Sequence, residues 1–292
     1  MPDTPTIIPT ITQPMIDLYD DYTHRTLDRR RFVAALARLA GGAAAAAAIL
    51  PLLDANPARA AMIAADDARL TSGRIEFGGL AGYRAAPADA AGALPAVVVI
   101  HENRGLNPHI EDVARRVAVA GFVALAPDFL TSAGGTPGDP DAARTLIYTL
   151  DPAAVLADAV AAVAHLKDDP ATTGKVGAVG FCWGGGLVNR LAVASPDLAA
   201  GVAFYGRVPD AAEVPKIRAR MLLHYAGLDS RVNAGVPGYR TALEAAGIDY
   251  TIQMYDGVNH AFHNDTAAAR YDQAAAELAW SRTIAFFRET LG

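Results

Sequence analysis

A second cysteine is missing: Cys182 stands alone among 292 residues. A lone thiol cannot close an internal disulfide, and no cysteine pair is available to hold a structural metal. Positive charge is also short, with 25 Lys and Arg against 31 Asp and Glu and a formal net charge of -6. No basic, aromatic-rich stripe offsets that deficit, so nucleic acid is not an expected partner. Hydrophobic residues make up 52% of the chain and charged ones 19%. That suits one α/β domain of about 230 residues with a large core, preceded by an extension. No internal repeat appears and no linker divides residues 70–292, so the expected division is an extension over 1–60 and a domain over 61–292.

The extension has its own grammar. Residues 1–27 show no clear period, and Asp28-Arg29-Arg30-Arg31-Phe32-Val33 then opens an alanine-dominated apolar stretch that runs to Leu53. Basic residues, an apolar run and the small residues of Pro57-Ala58-Arg59-Ala60-Ala61 follow in the order of an export signal cleaved near Ala60. Adjacent arginines, a spacer and a phenylalanine resemble the twin-arginine signal. The expected location is therefore periplasmic, with the export machinery contacting residues 28–60. A membrane anchor and a cytoplasmic helix packed on the domain are the alternatives, although Arg38 interrupts the stretch and alanine adds little transfer energy.

Further along, short continuous runs rich in β-branched residues read as strands buried on both faces of a parallel sheet. They lie at 95–100, 122–126, 176–181, 200–205, 221–225 and 250–254. Helical patterns alternate with them at 110–120, 152–166, 184–193, 236–246 and 267–290, and Gly121 and Gly247 stand where helix caps belong. This alternation predicts a doubly wound, mostly parallel sheet flanked by helices in one domain. Residues 131–140, with three glycines and two prolines, read as a loop near the mouth of a site.

The solitary Cys182 lies in Gly180-Phe181-Cys182-Trp183-Gly184. Glycines two residues before and after a potential nucleophile match the sharp strand-to-helix turn that lifts a serine or cysteine above a sheet. Asp229 follows the strand at 221–225 and His260 follows the strand at 250–254, giving the chain order nucleophile, acid, histidine of the α/β-hydrolases. The three belong together chemically. An imidazole can take the thiol proton and return it to a leaving oxygen, and a carboxylate holds the imidazole tautomer. The start of a helix near Trp183 further favours a thiolate.

Together with His101-Glu102-Asn103-Arg104-Gly105-Leu106-Asn107, Ala126-Pro127-Asp128, Gly185 and Val258-Asn259-His260-Ala261-Phe262, these residues make the chain resemble the dienelactone hydrolase family over about residues 70–290. The resemblance implies an α/β-hydrolase fold, a Cys182-Asp229-His260 triad and an acyl-thioester route to hydrolysis of a small ester or lactone. No cofactor and no metal are expected. It also implies that Glu102 contacts the resting thiol, and that the backbone N–H groups of Trp183 and Asn103 form an oxyanion hole. Family members acting on dienelactones grip the substrate carboxylate with two arginines, and the matching positions here fall near Ser132 and on Asn264. Arg104 and Asn264 are candidate pocket residues, with Arg207 as another cation that can reach in, and Tyr205, at the end of a strand beside the cleft, is either core or pocket wall.

Blander readings compete. A lone cysteine is more often packing than reagent, a lone histidine a hydrogen-bonded loop residue, and a lone aspartate a turn or cap. Their order behind successive strands is what outweighs these. His101, Glu102, His109, His260 and His263 lack metalloprotease spacing, and Gly184-Gly185-Gly186 lacks the lysine of a phosphate loop. Acyl transfer or thioester hydrolysis by the same triad, and a non-catalytic exported binding protein on the same fold, remain the functional alternatives. A monomer or a small homo-oligomer is expected.

Overall fold

The structure, a computed structural model, describes residues 10–24, 27–54 and 61–292. Eight strands form one sheet: β1 (Leu70–Phe77), β2 (Leu80–Pro87), β3 (Leu94–Ile100), β4 (Val123–Pro127), β5 (Thr172–Phe181), β6 (Leu198–Phe204), β7 (Arg220–Ala226) and β8 (Tyr250–Tyr255). Their spatial order is β1-β2-β4-β3-β5-β6-β7-β8. From β4 to β8 every pairing is parallel, while β1 pairs with β2 and β2 with β4 antiparallel. The predicted parallel strands are all present. The antiparallel pair at the amino edge went unread because Leu70–Pro87 mixes Gly, Arg and Glu with apolar residues, as a half-exposed edge does.

Both faces of the sheet are covered, which explains the unbroken apolar runs. Val98 and Ile100 of β3 join the core under α6 (Pro152–Asp168), α7 (Trp183–Ala194) and α9 (Val236–Ala246). Val97 and Val99 join the opposite core under α4 (Pro108–Val119) and α10 (Gln273–Leu291). Period-two alternation therefore separates two cores without exposing either, so no polar face marks these strands. Gly121 and Gly247 take positive φ angles of 101° and 64° after α4 and α9, as capping requires. The last helix starts at Gln273 rather than near 267, because the Asp272 carboxylate accepts the N–H of Ala275 and caps it there.

The loop at 131–140 begins with a 3-10 turn, Thr131–Ala133, and leads into α5 (Pro140–Ile147). Asp128 organises it. Its two carboxylate oxygens accept from Leu130 N at 3.0 Å and from Thr136 N at 2.9 Å, and the Thr136 hydroxyl donates to Oδ1 at 2.7 Å.

The extension folds onto the domain as α1 (Gln13–Thr23), α2 (Arg29–Leu39) and α3 (Ala43–Leu53). Met15, Ile16, Tyr19 and Tyr22 of α1 are buried at helical spacing against Phe32 and Leu36 of α2 and Ile49 and Leu53 of α3. The reading of residues 1–27 as aperiodic is corrected here: a four-residue stripe is present, broken up by Asp17, Asp20 and Asp21. Asp28, the acidic residue before the arginines, caps α2 by accepting the Arg31 N–H at 2.9 Å. Among the described residues no single helix is long and apolar enough to cross a membrane, and α2 and α3 meet at 112°. The small-residue cleavage motif at 57–60 lies outside the described residues.

Candidate functional site

The carboxyl edge of the parallel strands collects the candidate residues, as the loops of a doubly wound sheet must. Cys182 sits between β5 and α7 with φ 56° and ψ -113°. That conformation is strained for a residue with a Cβ. A Cβ on Gly180 would collide with the backbone of Gly184, and one on Gly184 with the carbonyls of His101 and Ile100. Two of the frame's glycines are thus required by the close approach of β5, α7 and the end of β3. Among the described residues, Tyr205 and Ala261, at 39° and 64°, are the other positive-φ residues besides glycine, and both also border the site.

Asp229, in the turn after β7, places Oδ2 at 2.5 Å from Nδ1 of His260 while Oδ1 accepts the Val232 N–H at 3.1 Å. Both side chains are buried. Because Nδ1 faces a carboxylate, its hydrogen is held there and Nε2 is the free acceptor. Nε2 has no hydrogen-bond partner. Sγ of Cys182, a nitrogen of His260 and a nitrogen of His24 lie within 4.8 Å of one another. The predicted thiol, imidazole and carboxylate are therefore together.

His24 was not anticipated. Just beyond the last turn of α1, it places Nε2 at 3.3 Å from Sγ of Cys182. Its Nδ1 lies 2.7 Å from the carbonyl oxygen of Asp20 and 3.3 Å from that residue's carboxylate. Its ring stands edge-on to that of His260 at 4.7 Å. No sequence motif marks it, since Asp20-x-x-x-His24 is short and its partner is 158 positions away.

Electrostatics at the site follow from this crowding. Burial alone would raise the Cys182 thiol, but the charges of His260 and His24 and the His24 hydrogen bond outweigh it and bring the thiol down to about 6. Burial likewise works against the charged forms of His260 and His24. Asp20, Cys182 and Asp229 push His260 well above its ordinary value, and Cys182 and Asp20 raise His24. Asp229 loses some ground to burial and is held below the usual carboxylate range by His260. The site therefore favours a thiolate facing imidazolium.

Glu102 departs from the expected contact. Its carboxylate accepts the Asn264 amide at 2.7 Å, and the thiol's hydrogen bond goes to His24 instead. Asn264 is buried and also accepts from Thr266, so it positions Glu102. Ser132 is exposed. Arg104 lines the cleft, yet its guanidinium donates to the Tyr19 hydroxyl at 2.7 Å and lies 3.6 Å from Asp54, so it anchors the extension. The Asn103 side chain, uninformative in sequence, donates to the carbonyl of Thr23 at 3.0 Å. Trp183 opens α7, where a first-turn N–H has no intrahelical partner. Tyr205 is pocket wall: its ring centroid lies 4.8 Å from that of His260.

The cleft divides at Cys182. A cavity of about 350 Å³ is lined by Glu102, Asn103 and Asn264, and one of about 560 Å³ by Trp183, Tyr205 and Arg207; His24, Cys182 and His260 border both. Among the described residues, His24-Cys182-His260 and Asp20-Asp229-His260 are the sets whose donor atoms converge closely enough for a metal. In both sets the imidazole Nδ1 is already engaged by a carboxylate, so they also read as hydrogen-bonded relays. Of the other histidines considered, His101 stacks on Trp183, His109 pairs with Asp265 at 3.0 Å, and His263 stacks on Phe181.

A mostly parallel sheet carrying a cysteine elbow, with acid and histidine behind later strands, defines an α/β-hydrolase. Residues 80–291 match the dienelactone hydrolase family, and the chain belongs to it as a hydrolase of ester bonds. A protein of Methylorubrum extorquens assigned as a carboxymethylenebutenolidase is 32% identical over 246 residues, covering 78% of this chain and 84% of that one. The crystal structure of a protein of Klebsiella pneumoniae assigned as a dienelactone hydrolase superposes with a TM-score of 0.69 at 28% identity, covering 75% of this chain and 99% of that one. A dienelactone hydrolase-like promiscuous phosphotriesterase from metagenomic libraries gives 0.68 at 25% identity, covering 77% and 100%. The family match begins after β1, so α1–α3 lie outside it.

Proposed function

We propose that this chain hydrolyses a small carboxylic ester or lactone through an acyl-thioester on Cys182. The observation that carries the reading is the convergence of the Cys182 thiol, lowered to about 6, with His260 and Asp229 at a strained elbow. In the reaction the thiolate attacks the carbonyl carbon and the carbonyl electrons move to oxygen. The N–H groups of Trp183 and Asn103 serve as donors to that oxyanion, each worth about 3 kcal/mol in such a role. Collapse expels the leaving oxygen, which takes a proton from imidazolium. A water molecule then gives a proton to an imidazole and attacks the thioester, and the C–S bond breaks. Glu102, held by Asn264, lines the smaller cavity together with Cys182 and His260.

Carboxymethylenebutenolidase is the name given to several relatives, and a carboxylate-bearing lactone is the substrate it suggests. Without arginine at Ser132 and Asn264, the carboxylate is instead met by Arg207 in the larger cavity. Replacement of Cys182 by alanine is expected to abolish hydrolysis of an activated aryl ester; full retained activity would show that another group is the nucleophile.

Export through the twin-arginine route is a second proposal, supported by Arg29-Arg30-Arg31-Phe32 and the alanine-rich stretch. Its test is N-terminal sequencing of protein recovered from the periplasm, where a start at Ala61 supports it and an intact start overturns it. A processed chain would lack α1–α3.

A further inference from the structure

The extension does more than cover the cleft. Its anchors are polar groups around the site rather than a general apolar surface. Arg144 donates to the carbonyl of Tyr22 at 2.6 Å, and Asn103 donates to that of Thr23. Gln13 meets Asn259, the neighbour of His260, at 2.5 Å. Arg231 pairs with the Asp20 carboxylate at 3.4 Å. Together these fix α1 from its first turn to its last, and the residue they deliver to the sulfur is an imidazole with its own aspartate.

The two imidazoles are arranged alike. Each directs Nδ1 to oxygen atoms of an aspartate, Asp20 for His24 and Asp229 for His260, so each presents Nε2 as acceptor to the centre of the cleft. They differ in what Nε2 meets. His24 holds the thiol at 3.3 Å, whereas Nε2 of His260 is buried with no partner.

We propose that His24 is a catalytic residue, the base that serves acylation while His260 serves deacylation; this rests on the thioester reading above and concerns the unprocessed chain. Nε2 of His24 takes the proton from Sγ, and the thiolate forms the C–S bond. His24 imidazolium then gives that proton to the leaving oxygen as the C–O bond breaks. His260 takes a proton from water as hydroxide attacks the thioester, the C–S bond breaks, and the proton returns to sulfur. Each base gives back the one proton it takes, and the sum is addition of one water across the ester. The cleft suits this division, since both cavities open onto the sulfur and both histidines border each.

The test reads the thiol directly. His24 faces Asp20 on its own helix and Cys182 and His260 in the cleft, with Glu102 and Arg104 across the smaller cavity and Tyr148, Arg207 and Arg231 across the larger one, and only His24 is changed. In full-length His24→Ala, the pH midpoint of Cys182 alkylation by iodoacetamide is expected to rise by about one unit or more. The alkylation rate at pH 7 should fall about twofold for a one-unit rise from about 6 and about tenfold for a two-unit rise, and kcat/KM for an aryl ester about 10- to 100-fold because His260 remains. Added imidazole should restore both, which a purely structural loss would not allow. An unchanged midpoint overturns the proposal. So does faster alkylation with the same midpoint, which would make His24 a cover over the thiol. The alkylation readout does not depend on esterase activity. An active Cys182→Ala enzyme would sink the thioester reading, while the midpoint reports on His24 alone.

Discussion

Asp229→Asn isolates the charge behind His260 while keeping the side chain's shape. The Asp229 carboxylate lies 2.5 Å from Nδ1 and the pair is buried. With charge centres about 4 Å apart and an effective dielectric of about 20, the pair is worth about 4 kcal/mol to the imidazolium. At about 1.4 kcal/mol per decade, that is close to a thousandfold in kcat/KM. The asparagine amide can also donate to Nδ1 and hold the wrong tautomer, which pushes the loss further. Asp20 works the other way, because its charge also acts on His260 and survives the substitution. The expected loss is therefore about 10²- to 10³-fold. The assay is steady-state hydrolysis of an activated aryl ester, alongside the thermal midpoint to confirm folding. A folded variant within tenfold of the parent would refute the role given to Asp229.

Three other perturbations have distinct signatures. Arg207→Ala should raise KM for carboxylate-bearing esters and leave that for neutral ones nearly unchanged; an equal effect on both would remove Arg207 as the anion's partner. Gly184→Ala should lower the thermal midpoint steeply or abolish soluble protein, because its Cβ meets two backbone carbonyls that cannot yield; a variant of parental stability would contradict the close approach at the elbow. His224 is fully buried between Tyr255 and Thr283, and burial pushes it down to about 3. The unfolded chain therefore takes up that proton first, near 6.5, and stability present above pH 6.5 is lost as pH falls toward 3. His224→Gln should flatten that part of the acid-unfolding curve, and an unchanged slope between pH 6 and 4 would count against it.

Much of the fold was legible because a parallel sheet covered on both faces leaves unbroken apolar runs, as at 95–100 and 176–181. The hairpin at 70–87 was not, since its half-exposed strands carry no such run. At the site, Cys182, Asp229 and His260 were legible because the elbow imposes glycines at fixed spacing and the acid and histidine must follow strands. Glu102, Asn264 and Arg104 all line the cleft, but the pairings of Glu102 with Asn264 and of Arg104 with Tyr19 join distant parts of the chain and leave no local mark.

Local chemistry thus wrote the elbow, the strand order of the reactive groups and the capping glycines into the sequence, because each depends on neighbours a few residues away. The path of the extension is different. Whether residues 13–53 leave the domain or lie on it depends on surfaces hundreds of positions downstream, such as Asn259 and Arg231. Only the tertiary structure decided that His24 meets Cys182, since a contact across 158 positions has no local rule to encode it.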